Sequence, residues 1–241
     1  MPTALRLSIR PGLPAKSRPT CWTKWPSSSS RSPAALSDAA FIPSAAVVLQ
    51  DTKAWLERAV IGLNLCPFAR AVHVKGQVHY AVSAAQGTHE LLADLATQLK
   101  ELASLPADVR DTTLLMAPDC LRDFFDFNEF LAQADDVLVD LGLEGDIQIA
   151  SFHPHYQFAG MLQDDITNYT NRAPYPTLHL LREASIDRAV ESFPDAEAIF
   201  GRNMLVMQEL GHAGWQALDV GASSPAEGDA GFVASSRHES S

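Results

Sequence analysis

Cysteine is scarce in this chain. Only Cys21, Cys66 and Cys120 occur among 241 residues, with no paired spacing. That excludes a disulfide framework and fits a reducing, cytoplasmic setting. No apolar run approaches the ~20 residues that a membrane-spanning helix needs. There is no glycine-rich phosphate loop, no GxGxxG and no GxSxG, so dinucleotide-binding and serine-hydrolase readings have no support. Basic residues are also few outside the N-terminus. Residues 1–40 hold six basic side chains and one acid, whereas the remainder holds 12 basic and 28 acidic ones. A body this acidic repels nucleic-acid phosphates and anionic membranes, so neither is expected as a partner.

What is present is enough apolar side chain for one substantial core, 46% of the residues. The sequence divides into three parts. Residues 1–44 are rich in Ser, Pro, Arg and Ala, lack an apolar period and are expected to be a disordered extension. Residues 45–218 carry periodic elements and form a single domain. Residues 219–241 return to Gly, Ser, Ala and acids and are expected to be a disordered tail.

Within the domain, helical periodicity runs from Ala45 to Cys66, where Pro67 ends it. The alternating stretch 77–83 predicts a strand. Leu91, Leu92, Leu95, Leu99 and Leu102 predict a helix closed by Pro106. The β-branched apolar run 112–116 predicts a buried strand. Phe124, Phe127, Leu131, Ala134, Leu138 and Leu141 predict a third helix, capped by Asp119 and stopped at Gly142. A third strand covers 146–152. A long loop with a short helix over 164–171 precedes a fourth strand at 177–181. A helix capped by Ser185 and another over 195–210 follow, the latter ending at Gly211 and Gly214. This alternation implies an α/β fold: a small layered sandwich of about four strands, mostly parallel, with helices packed on the sheet and the last strand joining antiparallel at an edge. A ferredoxin-like α+β sandwich is the alternative.

The segment 151–183, SFHPHYQFAGMLQDDITNYTNRAPYPTLHLLRE, is the densest in groups that transfer protons or grip anions. It leaves the carboxyl end of the third strand, where open α/β sheets place their ligands, and it is longer than most connections in compact domains. LNLCPFA at 63–69, SFHPHYQF at 151–158 and NYTNRAPYPT at 168–177 together resemble an uncharacterised bacterial family, domain of unknown function 1415. The resemblance covers residues 45–218 and implies a small cytosolic protein. It supplies no activity.

From the residues themselves, the leading expectation is an enzyme acting on a small anionic or amide-bearing metabolite. His153 or His155 would be the acid/base and Cys66 a possible nucleophile. Arg172 would clamp an anion, with Asn168, Asn171 and Tyr175 as substrate contacts. His153, His155, Arg172 and Cys66 are accordingly expected in one pocket. Each residue also has a structural reading. Cys66 can be a small apolar side chain at a helix end, the histidines can bond to backbone carbonyls, and Arg172 can pair with Asp164 or Asp165. A metal shared by His153 and His155 lacks a His-x-x-x-His partner on a helix, and no cofactor is indicated. The competing classes are a non-catalytic small-ligand or metal-binding protein and an interaction module docking through Phe124, Phe125, Phe127 and Phe130. Because residues 1–40 offer no apolar period to bury, their removal should change unfolding free energy by less than ~1 kcal/mol in urea denaturation.

Overall fold

A computed structural model describes residues 43–191 and 198–223. Residues 1–42 of the extension expected over 1–44, and the tail from 224 onward, lie outside the described residues. Helix α1 (Ala45–Trp55) is capped by the Ser44 hydroxyl, which accepts from the Val47 amide. It does not run on to Cys66 as one α-helix. Residues Leu56–Ile61 continue as a π-helical turn, in which the amides of Gly62 and Leu65 reach back five residues to Glu57 and Val60. The wide turn brings Gly62 so close to the preceding turn that a Cβ there would lie 2.1 Å from the Arg58 carbonyl oxygen. A short helix, α2 (Ala69–Val74), follows.

The remaining elements alternate: β1 (Val78–Val82), α3 (Thr88–Ser104), β2 (Thr112–Met116), α4 (Phe124–Asp140) and β3 (Ile147–Phe152). A 3₁₀ turn (Ile166–Asn171) lies in the long loop before β4 (Thr177–Arg182), α5 (Glu183–Glu191) and α6 (Ala198–Ala217). The cap of α4 is Asp123, which accepts from the amides of Phe125 and Asp126. Asp119, expected in that role, instead pairs with Arg122 at 3.1 Å. Ser185 lies inside α5 rather than at its cap. Its hydroxyl bonds to Asp111 instead. Gly211, at φ 62 and ψ 177, breaks α6 internally, but the chain resumes helical geometry as far as Ala217.

The sheet has the order β1-β2-β4-β3. β1 and β2 pair in parallel, and β4 is antiparallel to both β2 and β3. Three strands therefore share a direction and the last opposes them, as expected. Its position differs: β4 is inserted in the sheet, not added at an edge. Three of its six residues are buried and the other three partly so, and a largely apolar run with strands on both sides suits an interior place.

Side-chain alternation divides the core between the two faces. Leu115, Ile147, Ile149, Leu178 and Leu180 meet Leu91, Leu95, Leu99 and Leu102 of α3 and Phe127, Phe130 and Leu131 of α4. On the other face Leu114 and Met116, with Val78, Tyr80 and Phe152, meet Val48, Trp55, Leu56 and Ala59. Helices thus cover both faces of a mixed sheet, an α/β layered fold. A ferredoxin-like sandwich, with its helices on one face, does not form. Arg182 ties the layers by donating to the carbonyls of Leu102, Leu105 and Arg110 at the end of α3.

The packed body continues past residue 218. Val220 is buried in the second cluster, and Ser223 donates to the Asp51 carboxylate from both its amide and its hydroxyl. The tail expected from residue 219 therefore begins with an anchored segment. Gly62→Ala should lower unfolding free energy by more than ~1 kcal/mol, beyond ordinary surface changes. Gly87→Ala, where nothing lies within 4 Å of the new Cβ, should stay within that range. Urea denaturation of the two variants tests the comparison.

Candidate functional site

The loop after β3 is built from its own polar groups. The His153 amide donates to the Asn171 carbonyl at 3.2 Å, joining the start of the loop to its end. The His153 ring is fully buried between Phe124 and Phe127, with centroids 5.5 and 5.1 Å away. Its Nδ1 accepts from the His155 amide at 3.0 Å. Nε2 therefore carries the proton and donates to the Leu121 carbonyl at 3.1 Å, fastening the loop after β2. Burial, only partly offset by that bond, pushes the His153 pKa down to about 4. Both ring nitrogens are occupied by backbone, which leaves none for proton transfer.

The two asparagines are consumed in the same way. Asn168 is buried. Its Oδ1 accepts from the Phe158 amide at 3.0 Å, and its Nδ2 donates to the Leu162 carbonyl at 2.7 Å. Asn171, also buried, accepts from Thr170 through Oδ1, and its carbonyl holds His153. Both ends of the Asn168 amide are thus occupied within the loop. Tyr175 is turned away, into the opposite cluster. Its hydroxyl donates to Asp51 at 2.6 Å, and burial raises its pKa well above the usual range.

Arg172 is different. Nε donates to the Tyr156 carbonyl at 3.3 Å and Nη2 to the Gln163 carbonyl at 2.6 Å, and the guanidinium lies 4.1 Å from the centre of the Tyr169 ring. Pairing with Asp165 does not occur, because that carboxylate caps the 3₁₀ turn by accepting from the amide and hydroxyl of Thr167. Arg172 and the exposed His155 line a small open pocket of about 420 Å³ with Gln163, Asp164 and Tyr169.

Cys66 is elsewhere. It lines a second cavity of about 460 Å³ that lies against the α1-side face of the sheet. The expected pocket shared by Cys66, His153, His155 and Arg172 therefore does not exist. The 3₁₀ turn separates them, with Thr170 contributing to one cavity and Tyr169 and Arg172 to the other. Burial pushes the Cys66 thiol pKa up, although the amides of Phe68 and Ala69 and the charge of Arg202 oppose this. A raised pKa reduces the thiolate fraction that a nucleophile needs.

The walls of this cavity are mostly apolar: Trp55, Val60, Leu114, Phe152, Phe200 and small residues such as Ala150 and Ala189. Residues of all four strands form its floor, and the π-helical turn, α2, α5 and α6 supply the rest of the lining. Polar side chains interrupt the apolar surface, among them Thr112 with His179, and Asn203. The Thr112 hydroxyl donates to the Leu180 carbonyl at 2.7 Å, so at 2.6 Å from His179 Nε2 it must accept. His179 Nδ1 is thereby left as an acceptor, and burial holds the ring neutral with a pKa of about 4. Asn203 donates through Nδ2 to the Leu65 carbonyl at 2.8 Å, and its buried Oδ1 has no hydrogen-bond partner among the described residues.

His179 was legible in the sequence as a strand histidine of the polar segment 151–183, a possible third metal ligand beside His153 and His155. Asn203 was missed, although one signal existed: it stands four residues from both Ile199 and Met207, on the apolar stripe of α6. Among the described residues, no three His, Cys, Asp or Glu side chains converge as metal ligands. Of the four clustered phenylalanines, Phe127 and Phe130 are core and Phe124 packs against it, leaving Phe125 exposed. Among the described residues, no helix is long and apolar enough to cross a membrane.

Comparison with known proteins agrees with the three motifs that share these walls and loops. The sequence profile described as protein of unknown function, DUF1415, matches residues 47–217. The chain belongs to this family. No curated protein and no solved structure gives a match. The DUF1415 region thus includes both cavities and most of the elements that line them.

His153 and His179 give this domain a predictable acid response. Both pKa values are depressed to about 4, against about 6.5 in an unfolded chain, so the unfolded state binds more protons between these values. Their stabilisation is complete above pH ~6.5 and is lost as pH falls towards 4, by roughly 2–3 kcal/mol each. Urea midpoints measured from pH 7 to 4 should fall, with a shallower slope in His179→Gln.

Proposed function

We propose that this protein binds a small, neutral, largely apolar molecule in the cavity between the sheet and α2, α5 and α6. The observation that carries this reading is the buried Oδ1 of Asn203, unpartnered among the described residues, in a mostly apolar wall, with the neutral His179 ring as the other acceptor. A buried acceptor without a partner costs about 1–3 kcal/mol, which a ligand N–H or O–H would recover. The volume falls within the ~300–1,000 Å³ of small-molecule pockets, and a few placed polar groups in an apolar lining are their usual chemistry. Charge stays at the edge: Asp111 is held by Ser185, and Arg188 is exposed. The π-helical turn that supplies Leu56 and Val60 to the wall adds support, since such turns recur at functional sites.

Binding is favoured over catalysis in this reading. Of the groups expected to react, His153 is engaged with backbone and Cys66 is held as thiol, while the exposed His155 lies in the other pocket. The test is a fluorescence titration of the full chain with N-phenyl-1-naphthylamine, a neutral apolar probe with one N–H donor. Saturable binding at one site is expected. Ala189→Trp, which fills the cavity from a half-exposed position on α5, should weaken it at least about tenfold while leaving the melting temperature near that of the natural chain. Absence of saturable binding, or equal affinity in the variant, would count against the proposal.

A further inference from the structure

The open pocket at the carboxyl edge of the sheet carries a second, independent inference. Arg172 is half-buried, and burial lowers its pKa from the usual guanidinium value. Among the described residues no carboxylate lies within ion-pair distance of it. Asp165 is committed to Thr167, and Asp164 lines the pocket exposed to water. Partly desolvating a cation without an anionic partner is costly, and such cost is concentrated at sites that await one.

The side chain is also fixed in place. The Tyr156 and Gln163 carbonyls hold Nε and Nη2, and no carboxylate among the described residues pairs with the rest of the guanidinium, whose side-chain contact is Tyr169. Tyr169 supports the guanidinium from one face and is itself held edge-on by His212 and Trp215 of α6, at 5.5 and 5.2 Å. A fixed planar cation with no carboxylate paired to it is the arrangement that recognises an oxyanion. His155, on the same wall, offers a second donor. Because the whole chain carries a net charge of -11, attraction of an anion has to arise from this local cation.

We propose that the pocket formed by His155, Gln163, Asp164, Tyr169 and Arg172 binds a small carboxylate, with Arg172 as the clamp. Asp164 on the rim selects against a phosphate dianion, because like-charge repulsion grows with ligand charge. The ligand's carboxylate accepts from the guanidinium and from the His155 ring.

The experiment is a nuclear magnetic resonance titration of the full chain, following the Arg172 Nε–H and His155 ring signals. Sodium acetate and sodium phosphate are added separately at one pH, with sodium chloride holding ionic strength constant. Saturable shifts with acetate are expected, with phosphate binding more weakly. Arg172→Lys keeps the charge but loses the fork, and should weaken acetate binding about tenfold or more. His155→Ala should weaken it by a smaller factor, and provides a readout if the lysine variant does not fold. No saturable shift with acetate, or affinity unchanged in the variant that folds, would overturn the site. Tighter binding of phosphate than of acetate would overturn its assignment to carboxylates.

Discussion

The insertion of β4 between β2 and β3 governs the rest of this structure. Phe152, the last residue of β3, pairs with Thr177, the first of β4. The chain must therefore leave the sheet and return at the same edge, and the long connection between these residues cannot rely on strand pairing for its backbone. Buried N–H and C=O groups need partners. His153, Asn168, Asn171 and Arg172 supply them, each bonded to a backbone group of the loop or of its neighbour. The density of polar side chains in this stretch is first a consequence of topology.

Inserting β4 also shapes the opposite face. β4 brings His179 and Leu181 beside Thr112 and Leu114, and pairs with β3 so that Ala150 lies next to His179. A small residue at the middle of that face, under a roof of three helices, leaves unfilled space where a larger side chain would complete the core. The π-helical turn has a matching effect on the roof. By widening the chain after Trp55 it ends α1 early and carries Leu65 and Cys66 to the cavity wall instead of along the helix axis.

Electrostatics separate the two cavities. The deep one is lined by the His179 ring and the Cys66 thiol, which burial holds uncharged, and by the intrinsically neutral Asn203 amide. The open one presents a charge that burial penalises yet cannot remove, because a guanidinium keeps its proton under all ordinary conditions. An apolar ligand suits the first environment and an anionic one the second. One 3₁₀ turn divides them, so each is formed partly by adjacent residues of the same segment.

Much of the architecture was determined by the sequence alone. The period of Leu91 to Leu102 and of Phe127 to Leu138 identifies α3 and α4, and alternation or β-branching identifies the four strands, because periodicity is a local property that survives any tertiary arrangement. The motifs around Cys66, His153 and Arg172 likewise identify the family. Only the tertiary structure decided where β4 lies, since antiparallel pairing is equally available at an edge or in the interior. It alone revealed the π-helical turn, whose only trace is a glycine, and the anchoring of Val220 and Ser223 beyond the last periodic helix. It also decided the roles of the polar residues. A histidine or asparagine bonded to a distant carbonyl has the same sequence signature as one awaiting a ligand, and the difference between His153 and Arg172 lies entirely in which partners folding brings within hydrogen-bond reach.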